Sequence, residues 1–162
     1  MKRVLCVFPL AFLLAVLTMP EAWAKARTAK IVISGGVLTT TIEVTDPRIL
    51  DASNVWTGPF LDNSKAATKD SPTDLLRYEV SFYIKVADDR FRKKYVVYYY
   101  PNSASQQGYI YLPGKAETWY FLNVQSIIRD QRDGKWNYAS PTWENLMKPV
   151  IASAEAAQHK GL

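Results

Sequence analysis

The chain has one histidine and one cysteine among its 162 residues, and each scarcity excludes chemistry. With only His159, no histidine-based zinc site can be assembled, nor a Ser-His-Asp or Cys-His centre of ordinary form. With only Cys6, neither a zinc ribbon nor a disulfide framework can form. No Asn-x-Ser/Thr occurs, so the glycosylation signature of eukaryotic secretion is missing. Beyond residue 24 no apolar run approaches the about 20 residues that span a bilayer. No internal repeat or low-complexity tract is present.

What is abundant is aromatic. Ten Tyr and five Trp, with a hydrophobic content of 48%, describe a folded protein and not a disordered tail. The length is that of one domain with room for a core. Twenty basic side chains against fifteen acidic ones leave a net charge of +5.

Residues 1–24 read as a cleaved secretory signal peptide. Lys2 and Arg3 form a positive head, 4–19 run without a charge, Pro20 and Glu21 break the run, and Ala22-Trp23-Ala24 supplies the small-x-small cleavage pattern. The uncharged run is too short for a membrane anchor. Cys6 lies at its start, which excludes a lipoprotein. The expected mature chain, 25–162, has no cysteine and must be stable through its core alone. The expected location is secreted or periplasmic.

Within 25–162 the pattern predicts a single α+β domain: a mainly antiparallel sheet of about five to seven strands with a C-terminal helix packed on one face. The β-branched runs 30–34 and 38–44 flank Gly35-Gly36 and read as a hairpin or tight connection. A phosphate-cradling loop would need a helix next, and the sequence after Gly36 is strand-like. Asp46 and Pro47 cap and open a short helix to about Asp51. The span 62–74 lacks large apolar side chains and reads as a solvated loop. The clearest signal is period-two alternation over 76–86, which places Val80, Phe82 and Ile84 on a core face and Glu79 and Lys85 outward. Asp88-Asp89 turns the chain, and 93–100 returns with apolar or aromatic residues on both faces. Strands are expected over 108–112 and 118–122, a short helix over 123–129, and a turn at Asp133-Gly134. Ser140-Pro141 opens the last helix, with Trp143, Leu146, Met147, Val150 and Ile151 at helical spacing. Pro149 is expected to kink or divide it, and the tail after Ala156 to fray.

The segment 30–47, with Gly108-Tyr-Ile-Tyr-Leu-Pro-Gly114 and 136–143, resembles small exported bacterial proteins with no known activity. Their opening runs Ile-x-Ile-Ser-Gly-x-Gly-Leu into Ile-Glu-Val-Thr-Asp-Pro. Gly36-Val37 here departs from their usual Pro-Gly order. The resemblance implies secretion and a single domain, and no activity.

No constellation points to catalysis. Asp88-Asp89 sits where turns favour Asp. Asp130 and Asp133 have part of a calcium-loop spacing, but Arg132 stands at a ligand position and the closing glutamate is missing. No catalytic residue, metal site or cofactor is therefore expected, and whether the protein is an enzyme stays open, with the balance against it. Two features carry a functional reading beside a bland one. Arg90, Arg92, Lys93 and Lys94 cluster at the tip of the long hairpin, either as a solvated turn that discourages edge pairing or as a contact for an anionic surface. The Tyr-rich strand ending in Tyr98-Tyr99-Tyr100 must carry rings on both faces, for packing or for recognition. The leading expectation is an exported, non-catalytic binding or structural-interaction module. Its partner is an unknown protein, an anionic envelope polymer or an anionic lipid surface, with no nucleic acid. The alternatives are an inhibitor of a secreted enzyme, acting through 62–74 or the hairpin tip, and a carboxylate-based hydrolase of envelope polymers.

Overall fold

Alternating side chains along 78–85 put Tyr78, Val80, Phe82 and Ile84 on one side of a strand, and all four are buried. That strand, β3 (Tyr78–Lys85), is central in a computed structural model that describes residues 26–72, 74–102, 106–125 and 131–159. The leader expected over 1–24, with Ala22 and Ala24, lies outside the described residues. β3 pairs with β1 (Thr28–Gly35) on one side and β4 (Phe91–Tyr100) on the other. β2 (Ile42–Val44) flanks β1, and β5 (Tyr109–Leu112) and β6 (Lys135–Tyr138) extend the far side. The order is β2-β1-β3-β4-β5-β6, antiparallel throughout. The fold is the expected α+β arrangement of an antiparallel sheet and a C-terminal helix.

Helix α1 (Pro47–Asp51) starts as expected, with the Asp46 carboxylate accepting from the Arg48 N–H. The C-terminal helix α3 (Pro141–His159) packs Trp143, Met147 and Ile151 on the core face of the sheet. Phe60, from the loop after α1, stacks on Phe82 at 5.2 Å between ring centroids, and Trp143 meets Tyr99 edge-on at 5.0 Å. Both indole N–H groups on this side are satisfied: Trp143 donates to the Ser53 hydroxyl, Trp56 to the Ala26 carbonyl.

Two expectations change and one is narrowed. Of the kink or division expected at Pro149, division does not occur, since the helix runs unbroken over Pro141–His159. The cost of a proline inside a helix, about 3 kcal/mol, is offset by anchors on both sides of it, Trp143 and Met147 before and Ile151 after. The tail does not fray at Ala156, because Gln158 bonds the backbone of Thr39 and Thr40 and so ties the end of α3 to the β1–β2 connection. Finally, 118–122 is not a strand. After Pro113 the chain curls, with the Glu117 carboxylate accepting from the Gly114 N–H and the Tyr111 hydroxyl, and then forms α2 (Tyr120–Asn123).

The reason for that curl lies on β4. Tyr98 pairs with Tyr111, so β5 would meet Val96 only at Pro113, which has no N–H to offer. Asn123 takes the vacant place. Its side-chain oxygen accepts from the Val96 N–H (2.9 Å) and its amide donates to the Val96 carbonyl (2.7 Å). A side chain completes the ladder that a strand leaves unfinished. The helix expected over 123–129 is not formed in its described part, where α2 ends at Asn123 and 124–125 are a turn; 126–129 lie outside the described residues.

Candidate functional site

The face of the sheet turned away from α3 follows from strand parity. β1 contributes Lys30, β3 contributes Glu79, Ser81 and Tyr83, and β4 contributes Lys93, Val96, Tyr98 and Tyr100. β5 and β6 add Tyr109, Tyr111, Trp136 and Tyr138. Register aligns them across the strands, Glu79 beside Tyr98, Tyr98 beside Tyr111, and Tyr111 beside Trp136. Tyr98 and Tyr111 stack with centroids 6.4 Å apart, Tyr111 and Trp136 lie at 4.8 Å, and Tyr109 and Tyr138 at 5.0 Å. Apart from the buried Trp136, these rings are half-buried.

Cations stand between the rings. Arg77 lies 5.0 Å from the Tyr98 centroid, Lys65 4.5 Å from Tyr138, Lys93 4.4 Å from Trp119, and Lys30 4.8 Å from Phe91 and 5.3 Å from Tyr83. Such contacts hold flexible side chains upright by attraction to the ring faces. The carboxylates on this side are already engaged. Glu79 accepts from the Trp119 indole (3.0 Å) and faces Lys93 at 3.8 Å, while Glu117 serves Tyr111 and Gly114.

The tyrosines here remain neutral donors. Burial pushes the hydroxyls of Tyr98, Tyr100, Tyr109 and Tyr111 up, Tyr111 to about 12 with help from its hydrogen bond to Glu117. Lys30 is paired with Glu43 at 2.9 Å, Lys93 faces Glu79, and the Tyr111 hydroxyl is spent on Glu117, so the excess positive charge of this face rests on Arg77 and Lys65.

The four cations predicted at the hairpin tip do not form one patch. Asp88 and Asp89 turn the chain in left-handed conformations, φ 64° and 59°. Asp88 lies 3.6 Å from Arg90, and Asp89 lies 2.8 Å from Lys85, whose hydrogen bond holds that carboxyl below the usual carboxylate range. Arg90 and Arg92 are exposed. A bulge then separates the two lysines: Phe82 pairs with Tyr95 and Tyr83 with Lys93, leaving Lys94 as the extra residue. Lys93 joins the ring-lined face, whereas Lys94 lies over Trp56 on the core side, 5.4 Å from its centroid. Partial burial there, and then Arg92, pull the Lys94 ammonium below the usual lysine value.

Lys30, Arg77 and Lys65 were not singled out by sequence reasoning. Alternation of Lys30 and Val32 with the buried Ile31 and Ile33 carries the signal for Lys30. Arg77 falls on the outward set of the 76–86 alternation although β3 begins only at Tyr78, whereas Lys65 lies in a loop and carries no periodic signal. The solvated loop 62–74 is partly an edge cover. Thr68 exchanges two backbone hydrogen bonds with Trp136, both 2.8 Å, and the Asp62 N–H donates to the Tyr138 carbonyl.

On the core side Glu144 is 4% exposed and accepts from the Tyr99 hydroxyl (2.6 Å) and the Gly108 N–H (3.0 Å), with Lys148 at 3.2 Å. A Cβ on Gly108 would fall 2.6 Å from that carboxylate and 2.7 Å from the Tyr100 carbonyl, so only glycine fits. This network docks α3 onto the sheet. Among the described residues no group of three or more His, Cys, Asp or Glu is placed to hold a metal ion. Nor is any helix among them long and apolar enough to cross a membrane. Comparison with protein-family models, curated proteins and solved structures finds no match.

Proposed function

We propose that this chain is an exported, non-catalytic binding module whose recognition surface is the ring-lined sheet face, and that its partner is an anionic polymer of the cell envelope. The carrying observation is the row of half-buried tyrosines interleaved with cations, in which Glu43 and Glu79 balance Lys30 and Lys93 while Arg77 and Lys65 add positive charge beyond them. Rigid phenol rings give contact area at low entropic cost. Excess cations beside phenol donors favour a ligand rich in anionic oxygens. Arg90 lies at the tip, Arg92 pairs with Ile84 and so shares the core side with Lys94, and Lys93 is on the face itself. Lys94, set against Trp56, has a packing role besides its charge. The inhibitor reading has less support, since 62–70 is tied to β6 and is not a free loop.

The test is retention of the 25–162 chain on an acidic polysaccharide such as polygalacturonate, beside vesicles containing anionic lipid. Retention on the polymer is expected at low salt and should weaken as salt screens charges beyond a Debye length of about 8–10 Å. Tyr109→Ala with Tyr138→Ala should abolish it, and Arg77→Glu with Lys65→Glu should weaken it, with melting transitions retained in both. Preference for the vesicles would replace the polymer by a lipid surface. Failure to bind either would overturn the reading.

A further inference from the structure

On the opposite side of the molecule a cleft of about 410 Å³ opens between α3 and the chain that enters β3 and leaves β4. Its walls are largely apolar: Leu75 and Leu76 on one side, Ile151 and Ala152 on the other, with Pro101 at one end. Leu76 is 48% exposed there, a large aliphatic side chain left beside an empty space. The volume falls in the range of small-molecule sites, about 300–1,000 Å³.

The floor is polar and built. The Tyr78 hydroxyl donates to Glu155 Oε1, and the ring is held by a contact that only glycine permits. A Cβ on Gly36, whose φ is +59°, would fall 2.3 Å from the Tyr78 ring. Burial and the Glu155 carboxylate push the Tyr78 hydroxyl up, so it stays a donor. Among the described residues Glu155 Oε2 accepts no hydrogen bond, and Asp74 stands at the rim. The one cation among the described lining residues, Lys148, is compensated by Glu144 at 3.2 Å and donates to the Gln106 carbonyl at 3.1 Å. The lining therefore has surplus negative charge beside apolar walls.

We propose that this cleft is a binding site for a small amphipathic cation, its apolar body between Leu76 and Ile151 and its ammonium on Glu155. A neutral analogue keeps the apolar contacts and loses the charge-assisted bond. A carboxylate analogue places like charge against Glu155 and Asp74. The site is separate from the ring-lined face and does not depend on the polymer reading.

Calorimetric titration of the 25–162 chain with phenylbutylamine, phenylbutanol and phenylbutyrate tests this, because the three share one body and differ in the head group. The amine should bind about tenfold more tightly than the alcohol, the difference made by one hydrogen bond to a charged group, and the carboxylate should bind least. Glu155→Gln leaves Tyr78 an acceptor and should remove the preference for the amine without changing the alcohol. Ala152→Trp, at an exposed helix position, should fill the cleft and abolish binding of all three with the helix content unchanged. Equal binding of amine and carboxylate, no binding of the amine, or full binding to Ala152→Trp would each overturn the proposal.

Discussion

The two faces of the sheet use the same rings to opposite ends. On the core face Phe60, Phe82, Tyr95, Tyr99 and Trp143 touch one another and aliphatic neighbours, and all are fully buried. On the other face Tyr83, Tyr98, Tyr109, Tyr111 and Tyr138 are half-buried, and cations occupy the gaps. Ring density therefore does not separate core from surface in this protein. What separates them is the spacer, aliphatic and helical on one side, Lys and Arg on the other. The first packing excludes water and stabilises the fold. The second holds polar edges in contact with water at a small energetic return.

The comparison is broken most directly by truncation on each face. Phe82→Ala should destabilise by about 3–5 kcal/mol through cavity formation, read in denaturant melts. An effect as small as that of a surface change would mean that the two faces are assigned the wrong way round. Asn123→Ala should come next, at about 1–3 kcal/mol, because it leaves the buried N–H and C=O of Val96 without partners. A loss close to zero would show that β4 needs no substitute for the missing strand pairing.

Alkaline titration sharpens the contrast without mutation. Burial and the hydrogen bond to Glu144 push the Tyr99 hydroxyl far up, while Tyr111 is raised to about 12. Both folded values exceed the ordinary tyrosine value of about 10. The stability they contribute is complete below about pH 10 and is lost as pH rises toward the folded values. Tyr111 should ionise near pH 12 if the fold persists, and Tyr99 only on unfolding. Tyrosinate absorbance followed beside circular dichroism separates the two. Release of every tyrosine in one step below pH 10 would remove the distinction. The smallest effect is expected at Lys85, paired with Asp89 on the surface, where Lys85→Ala should change stability by under about 0.5 kcal/mol.

The elements legible in the sequence share a local cause. Period two over 76–86 sets which residues of β3 are buried, since neighbouring side chains in a strand must point to opposite faces. Asp46-Pro47 opens α1 and Ser140-Pro141 opens α3, because a proline at the start of a helix loses no bond. α2 was not legible. Its residues Trp119, Tyr120 and Phe121 favour a strand locally, and the vacancy beside Val96 that calls for Asn123 exists only once β4 and β5 have paired. The candidate face was half legible. Rings on both sides of 98–100 follow from alternation and Arg77 falls on the outward set of the 76–86 pattern, while Lys65 reaches the face from a loop that carries no periodic signal.

The sequence by itself determined the exclusion of disulfide and histidine chemistry, the antiparallel α+β class and which side chains of the central strand face the core, all consequences of composition, period and turn residues. Only the tertiary structure decided that Lys93 and Lys94 part to opposite sides, that α3 continues through Pro149 to Gln158, and that Tyr78, Glu155 and Leu76 meet around one cleft. A bulge moves a side chain to the other face through one unpaired residue, and a helix survives a proline when contacts distant in sequence hold it on both sides. Such outcomes depend on which surfaces meet, and no local pattern records that.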